Sequence, residues 1–183
     1  MAQSRYPQYT WQQSRCNHWE REIDEAECFY TSLAKSYEGS GRMFFAITGF
    51  VSISVDITNG STGQDVEDAL RKAWLRLRYE CPTIAARVDY DKERGKYFKT
   101  YKSFDPDHLD FHTEYWLSDT FIPITPNMHG LDWCNSDPLA PRVPTLFVIT
   151  PPYNNGGNKA TMHLDLVLRS PHDISESALG LAT

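Results

Sequence analysis

The sequence predicts an α+β fold, with helices packed on a largely antiparallel or mixed β-sheet, from three observations. Segments with helical spacing of apolar residues interrupt segments that alternate with period two. The order is mixed (helix, strands, helix, strands, helix) rather than a regular strand–helix repeat. The 183 residues lie within the usual range of one domain, and 40% are hydrophobic, enough for a core.

The elements follow in chain order. Ser4 to Trp19 reads as an extended arm, with Tyr6, Tyr9, Trp11 and Trp19 as aromatic anchors. Glu20 to Tyr37 predicts a helix whose stripe is Ile23, Ala26, Phe29/Tyr30, Leu33 and Ala34, with Gly39 at its end. Met43 to Ile57 alternates throughout, with Met43, Phe45, Ile47, Val51, Ile53, Val55 and Ile57 on one face. As one strand this stretch would span roughly 50 Å, so Gly49 is expected to mark a bulge or bend between two pieces. Thr62, followed by Asp65, is an N-cap for a helix to about Tyr79. Its buried stripe would be Val66, Ala69/Leu70, Ala73/Trp74 and Leu77, with Arg71, Lys72, Arg76 and Arg78 on or beside the other face. Pro82 ends it.

Ile84 to Tyr90 and Lys96 to Tyr101 read as a hairpin across Asp91–Gly95. Ser103 to Pro144 is rich in proline and polar residues and reads as a long irregular connection, with one strand near Phe111 to Trp116. Thr145 to Ile149 and Thr161 to Leu168 close the sheet as strands of a long hairpin around Pro151 to Lys159. In the second of these, Met162, Leu164, Leu166 and Leu168 alternate with Thr161, His163 and Asp165. A last helix begins near Ile174. With no repeats and no internal boundary, residues 1–183 are expected to form one domain.

Composition narrows the function. A net charge of −6 argues against a nucleic-acid partner, and no stretch approaches the roughly 20 apolar residues of a membrane span. No apolar signal core stands at the N-terminus. The four cysteines, Cys16, Cys28, Cys81 and Cys134, show no metal-finger spacing and read as reduced thiols, so the expected location is cytoplasmic. His108 and His112 are spaced i, i+4 but lack a third ligand, and Pro106 argues against a helix there. Cys134, near His129 and Asp132, has no evident base beside it. Asn155–Asn158 lacks the lysine and hydroxyl residue of a phosphate loop. The expectation is no metal and no tightly bound cofactor.

The chemistry concentrates in Leu168-Arg169-Ser170-Pro171-His172-Asp173-Ile174-Ser175-Glu176-Ser177, where a histidine follows an apolar strand and precedes a helix. This segment resembles the His-x-x-x-Asp-Gly loop of the chloramphenicol-acetyltransferase-like acyltransferases. The resemblance is strengthened by Leu70–Trp74 through Glu80–Val88, similar to that superfamily's first core helix and the turn after it, with Cys81 in place of a histidine. Asp137-Pro138-Leu139 leading to Pro144–Phe147 fits the same order. Among the members, the chain most resembles the fungal trichothecene 15-O-acetyltransferase type, over about Trp11 to the C-terminus.

What the resemblance implies is specific. The fold would be a two-layer half-domain corresponding to the N-terminal half of such an enzyme, without the C-terminal half. His172 would be the catalytic base, with Glu176 at the aspartate position as loop support and Ser177 at the glycine position. Acyl-CoA would be the co-substrate and a small-molecule alcohol of secondary metabolism the acceptor. A homodimer or a separate C-terminal half would complete the site. The change from aspartate and glycine to Glu176 and Ser177 keeps a second reading open: a non-catalytic half-domain binding a small molecule or a protein. A CoA-independent cyclase or isomerase using the same pocket is a third.

Overall fold

The computed structural model describes residues 7–37, 40, 46–57, 61–103, 109–138, 141–152 and 161–172. The expected last helix and the Pro151–Lys159 loop lie largely outside these residues. The α+β class holds, but the strands form two sheets rather than one. The first is antiparallel with order β1-β2-β5-β4, and the second is mixed with order β3-β8-β7-β6.

The N-terminal arm supplies the extra sheet. After a 3-10 turn at Pro7–Tyr9, β1 (Gln12–Arg15) and β2 (His18–Glu22) form a hairpin, with Asn17 at φ 58° in its turn. Trp11 meets Tyr101 edge-on at 4.8 Å and Trp19 stacks on the same ring, so these two expected anchors hold the arm, while Tyr6 lies outside the described residues. Pairing of His18–Glu22 with residues 98–102 prevents the next helix from starting at Glu20. Helix α1 is Glu25–Ser36, opened by a capping box between Asp24 and Glu27. Its buried positions are Glu27 and Thr31, whereas Ala26, Phe29 and Ala34 are exposed, so the expected apolar stripe is not the covered one.

Strand β3 (Ala46–Asp56) is one unbroken strand, paired residue for residue with β8 (Thr161–Pro171). Gly49 makes neither bulge nor bend. It faces Leu168, and a Cβ there would lie 3.9 Å from that side chain, in ordinary contact. Helix α2 (Gly63–Glu80) opens with the Thr62–Asp65 capping box. Trp74 is its buried apolar centre, while Ala69, Ala73 and Leu77 are exposed. Arg78, expected on the outer face, is buried. It donates to the carbonyls of Pro82 and Lys102 and lies over Trp116 at 5.8 Å, and burial pushes its pKa down to about 10. Pro82 starts a 3-10 turn (Pro82–Ala85), which delays β4 to Arg87–Asp91; β5 is Lys96–Lys102.

The long connection holds more structure than its composition suggests. The strand expected near Phe111–Trp116 is instead helix α3 (Leu109–Thr120), with His112 inside it. Trp116 stacks on Trp74 at 5.6 Å, and Trp74 Nε1 donates to Thr120 Oγ1 at 3.1 Å, so packing on α2 selects the helix over the local aromatic, β-favouring pattern. Strand β6 (Phe121–Ile124) then pairs in parallel with β7 (Thr145–Ile149), and the short helix α4 (Gly130–Asn135) lies in the crossover that parallel pairing requires.

Helices lie on both faces of the second sheet. On one, Leu164, Val148 and Phe121 meet Trp74, Ile84 and Leu117 of the α2–α3 layer. On the other, Trp133 of α4 packs on Phe147 at 4.7 Å, and Gly130 N–H donates to Asp165 at 2.7 Å. Asp165, Val167 and Arg169 are therefore buried although Leu168, on the expected apolar face, is exposed.

Candidate active site

His172 stands immediately after the end of β8, the strand flanked by β3 and β7. Its imidazole lies against the Tyr30 ring, with centroids 3.9 Å apart and planes 30° from each other. The Nδ1 atom is shielded from solvent while the residue as a whole is partly exposed. Glu176 lies outside the described residues, so only one of the two expected catalytic residues is located.

The placement of Tyr30 traces back to a buried ionic cluster one helical turn earlier. Glu27 accepts from Arg21 at 2.5 and 2.8 Å, from Lys99 at 2.5 Å and from the Asp24 backbone N–H at 3.1 Å. Arg21 belongs to β2 and the fully buried Lys99 to β5, so the cluster fastens α1 to the first sheet. Tyr30, three residues on and on the same side of the helix, then reaches the end of a strand of the second sheet. Burial alone would raise the Glu27 pKa, but the two cationic donors outweigh it and hold it at about 2.

Behind His172, Ser170 and Arg169 are buried. Arg169 donates to the Pro138 carbonyl at 2.7 Å, tying β8 to the Asp137–Pro138 turn, where Asp137 adopts φ 54°. Burial lowers the Arg169 pKa, opposed by the nearby Cys134 and Asp137. Tyr30 and Arg169 both went unrecognised as site residues. Arg169 carries a signal in hindsight, a cation directly after the alternating leucines of its strand; Tyr30 carries none, because its role depends on where α1 docks.

The remaining candidates separate from this region. Cys134 is half-buried, with its thiol pKa pushed up by burial, the behaviour of a packing residue. Asp165 is held by Ser52 Oγ at 2.5 Å and by Gly130 N–H, and clamps α4 to the sheet; His129 Nδ1 lies 4.0 Å from it. Ser54 and His163 pair at 2.9 Å at an exposed position on the sheet face that also carries α4. Arg71 pairs with Glu114, and Arg76 with Glu80 at 2.8 Å, so two of the α2 cations face carboxylates. Among the described residues no group of three or more His, Cys, Asp or Glu is arranged to hold a metal ion. No described helix is long and apolar enough to cross a membrane.

No protein-family model matches the chain, and no curated protein matches it in sequence. Its fold is similar to a solved structure. One such structure is the trichothecene 15-O-acetyltransferase TRI3 of Fusarium sporotrichioides, at TM-score 0.67 and 17% identity over 92% of this chain. Over the matched residues the chain shares the fold of that acetyltransferase. At that identity the likeness establishes architecture, and the chain spans about a third of the length of that protein, 34%.

Proposed function

We propose that this chain is an acyltransferase unit that moves an acyl group from acyl-CoA to a hydroxyl of a small secondary metabolite. The observation that carries the reading is the location of His172, at the end of a central strand of this fold with its ring seated on Tyr30. A neutral imidazole is the side chain suited to accept an alcohol proton at cellular pH. In this reading one ring nitrogen takes the proton from the acceptor hydroxyl as its oxygen attacks the thioester carbonyl. The new C–O bond forms, the C–S bond breaks, and the proton leaves with the CoA sulfur. Glu176 supports the loop rather than touching substrate. Tyr30 is a positioning residue that restricts the imidazole to a narrow set of orientations.

The experiment is transferase turnover and acetyl-CoA calorimetry on the 183-residue chain and its His172→Ala variant. The expected loss of turnover is roughly 100- to 10,000-fold, the range of a general base, with the thermal midpoint nearly unchanged. A folded chain that neither binds acetyl-CoA nor turns over would overturn the reading of an autonomous CoA-dependent enzyme. The alternative is a binding half-domain. It is favoured by Val51 and Leu168, neighbours on one sheet face that are 52% and 36% exposed.

A further inference from the structure

We propose that the open edge of β3 is a self-association edge, to which a second copy of this chain adds its own β3 antiparallel across a two-fold axis at Val51. Among the described residues β3 is paired with β8 alone and ends its sheet. An edge strand presents a row of backbone donors and acceptors to any passing strand, and folded proteins blunt such edges by shortness, charge, proline or bulges. Among the described residues the two sheets have four edges, and three of them are blunted. Strand β1 is four residues long with an irregular register between Gln13 and Arg15. Strand β4 alternates Arg87, Asp89 and Asp91. Strand β6 is four residues long and contains Pro123.

Strand β3 carries none of these devices. It runs for 11 residues, holds its register with β8 throughout, and has neither proline nor charge between Ala46 and Val55. Its sequence is also complementary to itself. With full antiparallel overlap, Ile47 faces Val55 of the second copy, Gly49 faces Ile53, and Val51 faces Val51. These all fall on one face, so the apolar face of one sheet continues into the apolar face of the next. On the other face Thr48 meets Ser54 and Phe50 meets Ser52. Asp56, the only charge, falls opposite Ala46, and no like charges meet. A two-fold contact requires that a surface match its own copy, and this edge does. The exposed Val51 would then be flanked by its symmetry mate.

The test is sedimentation of the whole chain over a range of micromolar concentrations, with Val51→Lys and Val51→Cys variants. The wild-type chain should show a reversible species of twice 21.0 kDa. Val51→Lys sets two ammonium groups opposite each other and should weaken association at least about tenfold, with circular dichroism unchanged because the site is half-exposed. Val51→Cys should form a 51–51 disulfide under mild oxidation. The wild-type chain serves as its control, since Cys16 is exposed. A folded chain that stays monomeric would overturn the proposal. So would a dimer that survives Val51→Lys and yields no 51–51 cross-link.

Discussion

Glu27 is 3% exposed and ionised, surrounded by Arg21, Lys99 and the N-terminus of its own helix. Taking a carboxylate out of water is unfavourable, and only the paired cations and hydrogen bonds make it tolerable here. Removing the charge leaves Lys99, which is fully buried, without its carboxylate. Glu27→Gln is therefore expected to destabilise the fold by about 3 kcal/mol, measured by denaturant unfolding. It should also weaken the Tyr30–His172 contact, because that contact depends on the docking of α1. A stability within experimental error of wild type would show that the cluster merely accompanies the docking rather than causing it.

At the scale of elements, α4 illustrates how a short helix is held in place. It has six residues, too few to persist alone, so its position rests on contacts with β3 and β8. Gly130 allows the close approach: a Cβ there would lie 2.5 Å from Asp165 Cβ and 2.8 Å from the Phe50 ring. Gly130→Ala must push α4 off the sheet and lose the Gly130 N–H bond to Asp165. A destabilisation of about 1–3 kcal/mol is expected, with hydrogen exchange rising in α4 and in the middle of β8. Ordinary helix propensity would favour alanine, so the sign of the effect decides between propensity and packing.

For the whole molecule, acid should be the weak side. Four described carboxylates are held below their ordinary values. In Glu20 the Arg94 guanidinium is the main cause, and in Asp65 it is the Thr62 backbone N–H. In Asp91 it is the backbone N–H of Arg94, and in Glu27 the Arg21 and Lys99 donors overcome burial. A depressed folded pKa contributes stability that is fully present above the unfolded value and is lost as pH falls through the folded one. For Glu27 that window runs from 4.5 down to about 2. Unfolding free energy should thus fall steeply below about pH 4.5, and the Glu27→Gln variant should show a shallower slope there. An equal slope in both chains would place the acid sensitivity elsewhere.

The same three scales separate what was legible in the sequence from what was not. The α+β class, the Thr62 cap, the β4–β5 hairpin, the two closing strands and the place of His172 at the end of an apolar strand all rest on patterns spanning a few consecutive residues. Such patterns survive without knowledge of the neighbours. Helix α3, strand β6, the division of the strands into two sheets and the unbroken course of β3 depend on partners far away in sequence. Trp74 decides α3, β7 decides β6, β5 decides β2, and β8 decides β3. The burial of Arg78, Lys99, Asp165 and Arg169 was equally hidden. A charged residue alternating with apolar ones looks solvent-facing until another layer covers its face and supplies its hydrogen bonds. By itself the sequence determined the local rhythm of helices and strands and that a histidine follows the closing strand. The tertiary structure alone decided which polar groups are buried and what holds that histidine, because pairing and desolvation are properties of residues brought together by the fold.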